Sequence, residues 1–197
     1  MAVINLLVEG RLDQEVASNL VNLTGHEIGE CWGLKGYGYI KKRATAFNQT
    51  ANGLCIFTLI DLMDTGHRCP IELVSEWLPF KHENMIFRVV VREIESWLLA
   101  DNEAVAEFLG VRTASVDSKV ELLADPKRTL VNLARTSRKS GIKESLVPQD
   151  GVTASEGILY NVEMTRFVKA FWNAERARAN APSLDRCIVR LNEFVGR

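Results

Sequence analysis

Three short, continuous apolar runs separated by helix-like segments constrain the fold of this chain most strongly. The runs are AVINLLV at 2–8, LCIFTLI at 54–60 and MIFRVVV at 85–91. Each has the length of a strand, and a run without polar alternation is typical of a strand buried on both faces. Between them, Leu12, Val16 and Leu20 recur at helical spacing. Strands that alternate with helices predict an α/β fold with a central, mostly parallel sheet flanked by helices.

The second half of the chain is predicted to be helical. Three- and four-residue spacing of apolar side chains marks the segments EIESWLLA, NEAVAEFLG and PKRTLVNLART, and two further helices near residues 164–172 and 187–195. The stretch 138–157, which lies between the segment PKRTLVNLART and the last two helices, is predicted to be a long loop. We expect an α/β core at residues 1–110 and a helical C-terminal part at residues 111–197 that packs on it as one structural unit.

Charge and cysteine content limit the functional classes. The chain has 24 Lys and Arg against 25 Asp and Glu, so no overall basic field indicates nucleic-acid binding. A local basic patch is confined to Lys127, Arg128, Arg135, Arg138 and Lys139. The four cysteines are scattered without zinc-site spacing and are expected to be reduced thiols. No signal-like or membrane-length segment is present, so we expect a cytoplasmic protein without a membrane partner.

Acidic residues follow all three apolar runs. Glu9 follows the first run, Asp61 and Asp64 the second, and Glu93 and Glu95 the third. The carboxyl ends of parallel strands form the usual ligand crevice, and hard cations such as Mg²⁺ prefer carboxylate oxygens. The sequence therefore predicts a divalent-metal site formed by two or three of these five candidate carboxylates.

A structural role for each of these acids is the competing interpretation, because acids at strand ends often cap the next helix. Glu93 and Glu95 are two residues apart, so on one helix they would not face the same point, and at most one is expected to join the cluster. Arg92 and Glu93 could instead fix the corner between strand and helix. His67, in the loop after Asp61, is interpreted as a loop residue rather than a catalytic one.

Three strings carry a family resemblance: VEGRLDQEV, LIDLMDTGHRCPIELV and VVVREIESWLLAD. They resemble the TOPRIM-like proteins grouped as domain of unknown function 4276, relatives of the nuclease subunits of OLD-type prokaryotic defence systems. The resemblance covers most of the chain, and VREIESWLLAD is its most specific part. It implies a TOPRIM-like core.

The resemblance also implies roles for individual residues. Glu9 would be the general acid or base, Asp61 the first metal position, and Lys143 a charge clamp on phosphate. The family pattern has a second aspartate two residues after the first, where this chain has Met63, a poor ligand for a hard cation. The next carboxylate, Asp64, lies one position late.

Two functions follow as alternatives. The first is a nuclease that uses Mg²⁺ or Mn²⁺ to hydrolyse DNA or RNA, working in anti-phage defence with an ABC/SMC-like ATPase encoded nearby. The second is a catalytically degenerate scaffold subunit that binds such an ATPase. A nucleotide-binding domain is a weaker third alternative, because Gly33, Gly36 and Gly38 match no phosphate-binding motif. The sequence leaves open whether the protein forms a homo-oligomer.

Overall fold

A four-stranded, all-parallel sheet organises the first part of the chain. In the computed structural model, which describes residues 1–195, the strands are β1 (Val3–Val8), β2 (Glu27–Gly33), β3 (Cys55–Asp61) and β4 (Met85–Val90). Their order in the sheet is β2-β1-β3-β4. The predicted α/β class with a mostly parallel sheet and C-terminal helices is confirmed.

The chain divides into two compact units. The first comprises residues 1–91 together with the segment from Asp185 onward, and the second comprises residues 92–184. The predicted border after residue 110 stays a prediction. None of the helices described in residues 1–195 is both long and apolar enough to span a bilayer.

The helices of the first unit connect successive parallel strands. They are α1 (Arg11–Leu23), α2 (Tyr37–Thr50), α3 (Leu62–Thr65) and α4 (Pro70–Trp77). Pro70 stands in the first turn of α4, where the missing backbone N–H costs nothing. The helix α11 (Pro182–Asn192) begins in the second unit, and its residues from Asp185 onward belong to the first.

Both faces of the sheet are buried, as the continuous apolar runs predict. One face packs against α2 and α4 in a single core: Leu7, Ile40, Ala44, Ala51, Ile56, Ile60, Leu62, Leu73, Trp77, Leu78, Met85, Phe87 and Val89. Apolar residues of opposite parity on the strands, such as Leu6, Phe57 and Leu59, are also fully buried. Side chains therefore pack against both faces of the sheet, whose strand ends position the residues that follow them.

The strand β2 was not predicted. Its sequence EIGECWG lacks an apolar run, and most of its residues are partly exposed because β2 is an edge strand that pairs only with β1. Position 29 favours glycine because the Cβ of any other residue would lie 2.5 Å from Oδ1 of Asn5. The pairing of β2 with β1 therefore depends on the close approach of the two backbones, which cannot be predicted from the spacing of apolar residues.

The second unit is helical. Its helices are α5 (Ile94–Leu99), α6 (Asn102–Leu109), α7 (Pro126–Arg135), α8 (Ser140–Leu146), α9 (Tyr160–Ala170) and α10 (Ala174–Ala177). Trp97 lies at the centre as a core residue, and its Nε1–H donates to Ser183 Oγ at 2.8 Å. The prediction of one continuous loop at 138–157 is wrong, since α8 forms there and buries Ile142 and Leu146.

Candidate active site

Two predicted acidic residues, Glu9 and Asp61, follow neighbouring strands of the first unit. Glu9 comes directly after β1, and Asp61 is the last residue of β3. From β1 the chain moves to β2 on one side, and it then returns past β1 to β3 on the other side. The carboxyl ends of β1 and β3 thus form the topological switch point of the sheet, where open α/β folds bind ligands.

The Glu9 carboxylate is held by backbone donors. Its Oε1 accepts the backbone N–H of Asp61 at 2.9 Å, and the backbone N–H of Tyr37 at the start of α2 acts to lower the pKa of the carboxyl group. Burial raises the pKa of Glu9 to about 7, the Asp61 N–H opposes this rise, and the charges of Asp13 and Asp64 add to it. Glu9 is therefore a fixed carboxyl group that exchanges a proton near neutral pH.

Asp13 belongs to the same acidic group, although the sequence did not single it out. It is 7% exposed, and its Oδ2 accepts the backbone N–H of Gly10 at 3.0 Å. The available signal was its position three residues after the residue that precedes α1, which is the arrangement of a capping box. Asp13 thus stabilises the start of α1 and raises the pKa of Glu9.

Asp64 lies at the margin of this group. It is in the short helix α3 and is exposed, as is Met63 at 40%. It is nevertheless close enough to Glu9 for its charge to raise the pKa of that residue. Asp64 therefore contributes negative charge to the group from a solvent-exposed position.

A tight turn holds the start of α2 beside Glu9. The backbone N–H of Leu34 donates to the carbonyl of Val8 at 2.9 Å, and that of Gly36 donates to the carbonyl of Glu9 at 3.0 Å. Gly33 has φ 97°, and a Cβ there would lie 2.2 Å from the Val8 carbonyl oxygen. The residue type at 33 is thus dictated by the close approach of two backbones.

The other two predicted acids, Glu93 and Glu95, form a separate cluster within the second unit. Glu95 is 1% exposed, and its Oε1 accepts the Tyr160 hydroxyl at 3.0 Å and lies 3.5 Å from Lys127 Nζ. Glu93 Oε1 accepts the backbone N–H of Lys127 at 2.7 Å. Both glutamates therefore contact Lys127.

Glu93 and Glu95 both contact Lys127 although they are two residues apart in the sequence. Glu93 precedes α5 with extended backbone angles, φ −151° and ψ 166°, so helical spacing does not apply to it. Arg92 just before it has φ 74°, which is a strained conformation for a residue with a side chain. The Arg92 guanidinium donates to the carbonyl of Ala124, as a corner-fixing role requires.

Burial and like charge dominate the electrostatics of this second cluster. Burial, and then the charge of Glu95, raise the pKa of Glu93 to about 7. Burial also raises the pKa of Tyr160 well above its ordinary value. For Lys127, burial acts to lower the pKa, but the two glutamates outweigh it and the pKa is raised. Lys127 therefore stays charged and compensates the carboxylates.

The side chains that could bind the predicted metal ion were compared with the ligands that Mg²⁺ prefers. Among residues 1–195, no group of three or more His, Cys, Asp or Glu side chains is placed to hold an ion. Mg²⁺ commonly takes one or two protein carboxylates and completes its shell with waters and substrate phosphates. Glu9 and Asp61, two hard oxygen donors at the carboxyl ends of neighbouring strands, fit such a site.

Of the remaining sequence candidates, Lys143 and the basic patch lie in the second unit, and His67 lies in the first. Lys143 is on the exposed face of α8, where it lines a surface depression with Arg135. Lys139 of the basic patch donates instead to the carbonyl oxygens of Glu107 and Phe108 near the end of α6. His67 lies in the loop between α3 and α4, and its Nε2 is 2.8 Å from Glu76 Oε2.

Comparisons with known proteins give no relative for this chain. No family model, no curated protein and no solved structure matches it. The TOPRIM-like resemblance therefore stays a hypothesis that rests on the three quoted strings.

Proposed function

We propose that the protein is a divalent-metal-dependent phosphodiester hydrolase acting on DNA or RNA. The observation that carries this proposal is the pair of carboxylates, Glu9 and Asp61, at the switch point between β1 and β3. Ligand crevices of open parallel sheets form at this place, and two carboxylates suit a Mg²⁺ or Mn²⁺ ion that also binds phosphate.

Each residue has a distinct role in this proposal. Asp61 would hold the ion with Glu9, and Asp64 would add negative charge from the margin. The bound ion would neutralise phosphate charge and activate water. Glu9 is oriented by the Asp61 N–H, so its carboxyl group is positioned to transfer a proton, as the family resemblance implies. Glu93 and Glu95 already have Lys127 and Tyr160 as partners and are assigned a supporting, structural role.

The proposed cellular setting rests on the cysteines and on the family resemblance. We place the enzyme in the cytoplasm, where the four cysteines, all free thiols here, remain reduced. We assign it to an anti-phage system with a partner ATPase of the ABC/SMC type. An overall charge of −1 leaves much of the binding to nucleic acid to such a partner.

Calorimetric titration with Mg²⁺ and Mn²⁺ tests the proposal. Wild type is expected to bind an ion, Asp61→Asn to lose binding, and Glu9→Gln to weaken it. Glutamine keeps the oxygen that accepts the Asp61 N–H, so the fold should survive. Glu72→Gln, an exposed carboxylate on α4, is the matched control and should bind like wild type. Cleavage of single- and double-stranded substrates in Mn²⁺ follows, and an absence of ion binding by folded wild type would refute a metal-dependent activity of the chain alone.

A non-catalytic scaffold subunit is the second candidate. It is favoured by Met63, which stands at the second acidic position of the family pattern, and by the exposed placement of Asp64. Under this alternative, the folded chain binds no ion yet co-purifies with the ATPase encoded beside it. The titration therefore separates the two candidates.

A further inference from the structure

A closed loop of the second unit borders a surface cavity. The loop, residues 147–156, follows α8, and its two ends are tied together by backbone hydrogen bonds. The N–H of Gly157 donates to the carbonyl of Leu146 at 2.9 Å. The N–H of Leu159 donates to the carbonyl of Ser145 at 3.3 Å. A loop of this length with joined ends is an Ω-loop, a compact type of loop that often carries function.

The wall of this cavity, which we call the loop cavity, is mostly apolar. Its volume is about 330 Å³, and the apolar residues that line it include Val147, Pro148, Val152 and Ile158. Ile158 is 96% exposed and Val152 is 53% exposed, so apolar side chains at the cavity remain in contact with water. A volume and a wall of this kind are typical of a small ligand pocket. The loop cavity therefore suits an occupant with an apolar portion.

Two carboxylates give the loop cavity a negative charge. Glu144 of α8 and Glu156 of the loop both line it, and among the described residues no lysine or arginine does. Neither glutamate forms an ion pair with any residue that the structure describes. Burial acts to lower the pKa of Lys127, but the charges of three glutamates, Glu156 among them, raise it. Since Lys127 Nζ lies 3.5 Å from Glu95, this single cation does not neutralise the cavity.

Exposed apolar residues continue along the chain beyond the loop cavity. Leu159 and Val162, at the start of α9, are 45% and 62% exposed. A small molecule in the cavity would leave these side chains in water, whereas a polypeptide can cover them. Exposed apolar residues grouped beside a pocket are typical of protein-interaction sites. Because Arg135 and Lys143 line an adjoining depression and not this cavity, positive charge has to come from the occupant.

We propose that the loop cavity receives an arginine side chain of a partner protein, whose adjacent apolar residues cover Ile158 and Val162. The methylene groups of arginine pack against the apolar wall, and its guanidinium group binds Glu144 and Glu156. Arginine suits this place better than lysine, because a guanidinium group is less strongly hydrated and is preferred in interface ion pairs. The inference does not use Glu9 or Asp61 and is independent of the proposed hydrolysis.

Fluorescence anisotropy with a labelled peptide that carries one arginine between leucines tests the charge of the site. Wild type should bind this peptide, and should bind about tenfold more weakly the same peptide with citrulline, which has the shape of arginine without its charge. Glu156→Gln should weaken binding of the arginine peptide about tenfold and leave binding of the citrulline peptide unchanged. Glu107→Gln, which removes an exposed carboxylate of α6 that does not line the cavity, is the matched control.

The apolar part of the site is tested by Ile158→Ser. This side chain is 96% exposed, so its loss should leave the fold intact. Its burial by the peptide should stabilise the complex, so the variant should bind both peptides about tenfold more weakly. Leu122→Ser, which removes an apolar side chain that is 79% exposed elsewhere in the second unit, should bind like wild type.

Competition with agmatine, a free alkyl guanidinium, distinguishes a protein partner from a small-molecule ligand. Agmatine should displace the arginine peptide only at concentrations far above the Kd of the peptide. Displacement at a concentration near that Kd would show a small-molecule site and overturn the protein interface. Absence of peptide binding, equal binding of the arginine and citrulline peptides, or equal effects of Glu156→Gln and Glu107→Gln would overturn the arginine site. None of these results depends on metal binding, which the calorimetric titration decides separately.

Discussion

At the scale of single residues, burial decides which polar groups matter most. Glu95 is almost completely buried and contacts Tyr160 and Lys127, whereas Asp64, which the sequence also predicted as a candidate metal ligand, is exposed. The sequence predicted Glu95 as a candidate because it follows an apolar run. It did not predict Tyr160, because 65 residues separate the two.

Replacing Tyr160 by phenylalanine should destabilise the protein by about 2 kcal/mol. The change removes the hydroxyl that donates to Glu95 and leaves a buried carboxylate oxygen with one donor fewer. Chemical denaturation measures the loss. Tyr37→Phe, which removes a hydroxyl from an exposed ring, is the control and should change stability by less than about 0.5 kcal/mol. A similar small change for both variants would mean that the Glu95 hydrogen bond contributes little.

Cys187 should be unreactive in the native protein. It is fully buried, and burial raises its pKa to about 12, so the thiolate that reacts with disulfide reagents is suppressed. We expect Ellman's reagent to label the partly exposed Cys31, Cys55 and Cys69 first and Cys187 only after unfolding. Labelling of four thiols at one rate in the native state would contradict this packing.

At the scale of helices and strands, apolar periodicity and the backbone carry different information. The three buried strands and the helices α1, α5, α6, α7, α9 and α11 follow from side-chain pattern, and their predicted positions are confirmed within a few residues. The strand β2 and the helix α8 do not follow from it. Both are short and partly exposed, and β2 depends on pairing with a strand 24 residues earlier.

Substitution of Gly33 and of Gly38 by alanine should change the stability of the protein in opposite directions. Gly33→Ala places a Cβ 2.2 Å from the Val8 carbonyl oxygen at φ 97°, so we expect a loss of roughly 2 kcal/mol or more. Gly38→Ala meets nothing within 4 Å inside α2 and should stabilise the protein by about 0.5–1 kcal/mol. Melting temperatures of both variants check the pair, and stabilisation by Gly33→Ala would disprove the close approach of β1 and β2 at this turn.

At the scale of the whole molecule, raised carboxyl pKa values set the pH dependence of stability. Glu93 has a pKa of about 7 in the folded protein against an ordinary 4.5. The folded state therefore binds more protons than the unfolded state between these values. The stabilisation from this group is complete below about pH 4.5 and is lost as the pH rises through about 7, and Glu9 acts in the same direction.

The melting temperature should accordingly be higher at pH 5 than at pH 8. Glu93→Gln removes the titrating group and keeps the oxygen that accepts the Lys127 N–H, so it should reduce this difference. Glu72→Gln, which removes an exposed carboxylate, should not alter it. A pH profile of Glu93→Gln identical to that of wild type would show that Glu93 titrates normally.

The first unit is discontinuous, since it consists of residues 1–91 and the segment from Asp185 onward. Within it, His26 Nε2 lies 2.9 Å from the carbonyl oxygen of Leu191, a residue 165 positions later. During translation at roughly 5–20 residues per second, the sheet leaves the ribosome several seconds before the segment that completes its core. The nascent sheet therefore keeps part of its apolar surface exposed until that segment has been synthesised. During this interval the chain is most prone to aggregation and most dependent on chaperones.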